Sequence, residues 1–200
     1  MQASVPDHIK EKQNDILFDK IMLTEEEAKA VFHRAYHRIA DPLSWHQLTN
    51  LAVARFWEPE DRTINRIPLI CEGNYLRIQI PGSGSDTGDS YDWVKIDRII
   101  QDKNSEKAYE TFGMTFRACS NPEHSAQMSA HFFQSLATST FLIRRYSNTV
   151  VSSYHGRYED ININAISPMA NIRNAFVAVG SKVGLSETEW SKLVKSFLND

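Results

Sequence analysis

The spacing of apolar residues changes twice along this chain, from three- and four-residue steps to two-residue steps and back. Helices and strands project side chains with different periods, so each segment between the changes is committed to one or the other. Ala28, Phe32, Ala35 and Ile39 form one stripe of a helix that starts at Thr24, where Thr24 and Glu27 have the spacing of a capping box. Asp41-Pro42 ends it, because a residue before proline avoids helical dihedrals. Residues 43–52, with Trp45 and Leu48, are expected to form a short second helix.

The middle of the chain reads as strands. Leu76, Ile78 and Ile80 alternate with Tyr75, Arg77 and Gln79. Glu110, Phe112, Met114, Phe116 and Ala118 alternate with Tyr109, Thr111, Gly113, Thr115 and Arg117. Residues 92–100 lie between them as another strand, and 53–58 could add a further one. Residues 139–146 and 149–158 form a hairpin about Ser147-Asn148, since Asn tolerates positive φ; a short helix over 124–136 precedes it.

The helical period then returns. Ser167-Pro168 supplies an N-cap and first helical residue, Ile172, Phe176, Val179 and Val183 share a face, and Gly184 suits the position after the helix end. Ser186 and Glu189 make a second capping box ahead of Trp190, Leu193, Val194, Phe197 and Leu198. Consecutive strands with few helices between them imply antiparallel pairing. The expectation is an α+β fold: an antiparallel sheet of about five strands, open or curled toward a barrel, packed by an N-terminal helix and a C-terminal helical pair. Residues 1–20 read as a polar N-terminal arm or short helix, and 21–200 as a single α+β domain.

A chain of 200 residues can bury a full core without metals or disulfides. Its 42% hydrophobic and 24% charged residues exclude a disordered polymer. With 22 basic and 25 acidic residues there is no excess of cations to neutralise phosphates, so nucleic acid is not an expected partner. The C-terminal helices could imitate a helix-turn-helix, but Glu187, Glu189, Lys192 and Lys195 do not make a phosphate-facing surface. The first residues lack an apolar signal core, and no apolar run approaches the ~20 residues of a membrane span. The expected setting is cytoplasmic, away from membranes. Cys71 and Cys119 are far apart, each in apolar surroundings, and are expected to be buried structural thiols.

Several segments invite a functional reading. The glycine-rich stretch 81–92 resembles a phosphate loop at first sight, yet a strand follows it and the Lys-Ser/Thr ending is missing. It is expected to be a strand–strand connection. His33 and His37 share a helical stripe with Glu26, but no Glu sits between them as in a metalloprotease helix, so a solvated helix face is expected. His124 and His131 are two turns apart, too far for one metal.

The hairpin holds the strongest cluster. A two-residue turn pairs Tyr146 with Thr149, Arg144 with Val151, Leu142 with Ser153, Thr140 with His155 and Thr138 with Arg157. Thr138, Thr140, Ser153, His155 and Arg157 then share one face, and Phe141, Ile143 and Tyr154 the other. The register is expected to break near Gly156. Arg157 offers a fork of donors to carboxylate or phosphate, and His155 can move a proton near neutral pH. The leading expectation is a non-catalytic module that binds a protein partner or a small anionic ligand here, with no metal or cofactor. The alternatives are an enzyme with His155 as general acid/base and Arg157 as anion clamp, and a structural subunit of a larger assembly or homo-oligomer. The enzyme reading requires a carboxylate within hydrogen-bond reach of His155.

Overall fold

A computed structural model of the chain describes residues 13–49, 55–57, 70–79, 92–104, 108–119, 122, 137–157 and 185–199. The fold is α+β, as the periodicity implies. Its strands are β1 (Gln13–Ile21), β2 (Arg55–Trp57), β3 (Tyr75–Gln79), β4 (Asp92–Asn104), β5 (Tyr109–Cys119), β6 (Thr138–Tyr146) and β7 (Thr149–Arg157). They form one antiparallel sheet in the order β1-β7-β6-β5-β4-β3-β2. The sheet therefore has seven described strands rather than about five, and β1 and β2 sit at opposite edges instead of closing a barrel. Gln13–Ile21, read above as part of a polar arm or short helix, is an edge strand whose entire length pairs with β7.

Helix α1 (Glu25–Ile39) starts at the expected capping box. The Glu27 amide donates to Thr24 Oγ1 at 3.2 Å, and Glu27 Oε2 accepts from the Thr24 amide at 3.3 Å. Glu25, Glu26 and Glu27 add negative charge at the positive end of the helix dipole. Its apolar stripe is buried against β5, β6 and β7. After Asp41, Pro42 opens a short 3-10 helix, Pro42–Gln47, in place of the longer second helix expected over 43–52. This tight turn delivers Trp45 beneath the sheet, where it is fully buried.

Helix α2 (Leu185–Leu198) lies across β1 and β7 and touches α1. Leu193, Val194, Phe197 and Leu198 are its buried apolar residues among those described. Arg38 of α1 donates through one guanidinium nitrogen to Ser196 O at 3.0 Å, to Phe197 O at 3.2 Å and to Asn199 O. A cation thus meets the carbonyl end of α2 and ties the two helices together. The first helix of the expected C-terminal pair, 168–183, lies outside the described residues, as do 124–136 and all but the last residue of the 81–92 stretch. Among the described residues, no helix is long and apolar enough to cross a membrane.

The inner face of the sheet is filled by rings. Trp45 lies 4.6 Å from Phe141, 5.5 Å from Phe197 and 5.7 Å from Phe116, centroid to centroid. Trp190 stacks on Tyr154 at 5.7 Å. Aromatic pairs at these spacings add to the burial of their area.

On the outer face, Gly113 of β5 stands opposite Leu142 of β6. A methyl group at Gly113 would lie 2.3 Å from Leu142 Cδ2 and 2.5 Å from the Phe141 carbonyl oxygen. The leucine can turn away, but the carbonyl belongs to the β5–β6 ladder. Gly113→Ala is expected to lose about 2–3 kcal/mol in denaturant unfolding, the range of an overpacked core. Adding Leu142→Ala should not restore it. Full recovery in the double variant would show that the backbone contact is immaterial.

The two cysteines differ from expectation. Cys119 is half-buried, and burial pushes its thiol up to about 11. Cys71 is exposed rather than buried. It opens a turn into β3, where its amide donates to Asn74 Oδ1 at 2.8 Å and its carbonyl accepts from the Asn74 amide at 3.1 Å. That local bonding rotates the thiol outward despite its apolar neighbours in sequence.

Candidate functional site

The β6–β7 register is the one deduced from the two-residue turn. Tyr146 faces Thr149, Thr140 faces His155 and Thr138 faces Arg157. Ser147, rather than the Asn148 expected to carry it, takes the positive φ of the turn, 52°. Pairing continues through Gly156 without the expected break. Thr138, Thr140, Ser153, His155 and Arg157 therefore share the outer face, opposite Phe141 and Tyr154 in the core.

Their surroundings are drier than a solvated sheet face. Thr138, Thr140, Ser153 and Arg157 are 3%, 0%, 2% and 7% exposed, so polar groups here must find partners within the protein. Thr140 Oγ1 bonds Thr115 Oγ1 of β5 at 2.9 Å. Ser153 Oγ lies 3.0 Å from His155 Nε2.

The central residue of the site is one the sequence reading missed. Asp15 of β1 stands directly opposite His155. Its Oδ1 accepts from His155 Nδ1 at 2.7 Å and from an Arg157 guanidinium nitrogen at 2.8 Å. That nitrogen also donates to Gly156 O at 2.8 Å. Burial alone would raise the Asp15 pKa, but the hydrogen bonds and charges of Arg157 and His155 outweigh it and hold the carboxyl below 3.8. Burial draws the His155 pKa down from 6.5, and Arg157 and Arg144 add to that, against the upward pull of Asp15. The ring is thus neutral at pH 7, with its proton on Nδ1 toward Asp15 and Nε2 accepting from Ser153. The signal that could have found Asp15 is the alternation of Ile16 and Phe18 with Asp15 and Leu17, obscured by an apolar Leu17 on the outer side.

Two buried atoms of this cluster remain unsatisfied. Arg157 Nε and Thr138 Oγ1 have no hydrogen-bond partner among the described residues, and they belong to directly opposed residues. The Cβ atoms of such a pair lie about 5 Å apart. On its other side Thr138 faces Arg117, which pairs with Asp97 at 2.7 Å. Two guanidinium groups, each answered by an aspartate, therefore flank one hydroxyl.

A concavity lies on the opposite side of the sheet, between α1 and β4–β5. It encloses about 230 Å³ and is lined in part by Tyr36, Lys103 and Glu110. His33 and His37 also line it and are exposed, as a solvated helix face requires. Among the described residues, no three His, Cys, Asp or Glu side chains gather as a metal site.

No protein-family model matches this chain, and no curated protein matches it. Among solved structures, a truncated norcoclaurine synthase from Thalictrum flavum is similar at a TM-score of 0.40 and 8% identity, with 96% of each chain covered. The di-domain ARO/CYC BexL from the BE-7585A biosynthetic pathway is similar at a TM-score of 0.39 and 12% identity, over 93% of this chain and 48% of that one. Protein Ms6760 from Mycobacterium smegmatis is similar at a TM-score of 0.39 and 10% identity, over 91% of this chain and 87% of that one. At these values the likeness transfers no residue role to this chain.

Proposed function

We propose that this chain is a non-catalytic binding module that takes a small anionic ligand at the Asp15–His155–Arg157 cluster. The observation that carries this reading is the half-answered Arg157. Withdrawing a guanidinium from water is costly unless its donors are met. Here one nitrogen is met by Asp15 while Nε has no partner among the described residues, and neither does the hydroxyl of Thr138 on the facing strand. Asp15 is 47% exposed on an edge strand, so it can swing outward and yield its place to an incoming carboxylate or phosphate. Arg is suited to both because its planar fork matches their oxygens.

The test is a thermal-shift series with inorganic phosphate and small carboxylates on the wild type, Asp15→Asn and Arg157→Gln. A ligand at 100 times its dissociation constant adds ~2.7 kcal/mol of stability. Stabilisation is expected in the wild type, and more strongly in Asp15→Asn, where the competing charge is gone. It should vanish in Arg157→Gln. Equal shifts in all three proteins, or none in any, would remove the cluster as a ligand site.

An enzymatic reading has one specific observation behind it: Asp15 is the carboxylate that a His155 general base would need. Ser153 is too deeply buried to act as an exposed nucleophile, so the proton would have to come from a bound substrate. Turnover lost in His155→Gln with ligand binding retained would support this reading over simple binding.

A further inference from the structure

We propose that the cleft between α1 and β4–β5 is a second ligand site, built for a single aromatic ring carrying a carboxylate. It is independent of the outer-face cluster, since the two share no residue.

The floor of the cleft is aromatic. Phe32 and Phe112 contribute to it and are each 5% exposed. The Tyr36 ring lies 4.3 Å from the Phe112 ring, tilted by 56°. Rings held at such angles offer faces and edges to a further ring. The enclosed volume sets the size of the guest. A dry cavity of about 150 Å³ admits benzene, so 230 Å³ leaves room for one ring and a small polar substituent but not for a fused polycycle.

The polar wall sets the chemistry of the substituent. Glu110 is buried, and both of its oxygens are engaged: Oε2 by Arg145 Nε at 2.8 Å and Oε1 by Lys103 Nζ at 3.0 Å. Two cations surround one carboxylate, leaving local positive charge at the cleft wall. Lys103 is 63% exposed, and an ammonium has three donors, of which Glu110 takes one. The imidazoles of His33 and His37, each edge-on to its neighbouring ring at 5.9 and 5.3 Å, add donors at the rim. Asp102 also lines the cleft and balances that charge, so a carboxylate is held by the remaining donors of the Lys103 ammonium rather than by net charge. A flat ring on Phe112 and Tyr36, with its carboxylate toward Lys103 and the imidazoles, uses both the aromatic floor and the donors of the wall.

The probe is benzoate, with benzyl alcohol as the uncharged comparison, followed by amide chemical shifts of the full chain. Benzoate is expected to move resonances of α1 and of the β4–β5 hairpin, and to bind at least about tenfold more tightly than benzyl alcohol, as a hydrogen bond to a charged group implies. Lys103→Met should remove that preference while leaving the fold intact, because Glu110 keeps Arg145. Tyr36→Leu should weaken both probes. Equal binding of the two probes, or a Lys103→Met variant that still prefers benzoate, would overturn the assignment of an acid. Shifts confined to the outer face would overturn the site. An Arg157→Gln control separates the two sites, since it should leave benzoate binding in the cleft unchanged.

Discussion

Trp45→Ala is expected to lose about 4 kcal/mol of folding stability, the upper range for deleting a large buried ring. Trp45 is fully buried, and its indole contacts Phe116 and Phe141 of the sheet and Phe197 of α2. Its Nε1 also donates to Arg38 O at 2.7 Å, at the end of α1. One side chain thus joins three layers of packing: the first helix, the sheet and the last helix. Denaturant unfolding measures the loss, and Trp45→Phe should recover part of it by refilling volume without restoring the hydrogen bond. A loss below about 1 kcal/mol for the alanine variant would mean that the surrounding rings collapse into the space, contrary to the limited relaxation usual in cores.

Arg145→Met is expected to destabilise by about 3 kcal/mol, because it leaves a buried carboxylate short of its closest counter-charge. Arg145 and Glu110 are 3% and 5% exposed. Lys103 stays beside Glu110 but sits largely in solvent, where screening weakens it. Adding Glu110→Leu to Arg145→Met should return much of the loss, since a buried pair replaced by apolar residues is often neutral.

The same pair predicts a pH dependence. Burial alone would raise the Glu110 pKa, but the bonds and charges of Arg145 and Lys103 outweigh it and hold it below 4.5. A depressed carboxylate contributes stability that is fully present above pH 4.5 and is lost as pH falls through the lowered value. Arg145→Met removes the main opposition to burial, so its acid unfolding should begin at a higher pH than that of the wild type. Coincident acid transitions would show that the pair contributes little to stability.

The ion pair and the outer-face cluster differ in how they could be found. The hairpin half of the cluster was legible because a two-residue turn fixes register, and register fixes every side chain on both strands. Asp15 was not legible, since its place opposite His155 depends on which strand pairs with the far edge of the hairpin. Sequence separation of 140 residues carries no local signal for that pairing. Glu110 sat in a strand whose alternation was plain, yet its burial beside Arg145 follows from β5–β6 pairing and not from β5 itself.

The sequence by itself determined the local elements: the capped α1, the alternating β3 and β5, the hairpin turn and the apolar stripe of the last helix. Each rests on periodicity and capping chemistry acting over a few residues. Tertiary structure alone decided that Gln13–Ile21 is an edge strand, that Trp45 fills the core from a 3-10 turn, and that an outward-facing polar cluster is largely buried. Those outcomes depend on contacts between distant segments, where burial and strand pairing override the local preference that a short stretch of sequence can express.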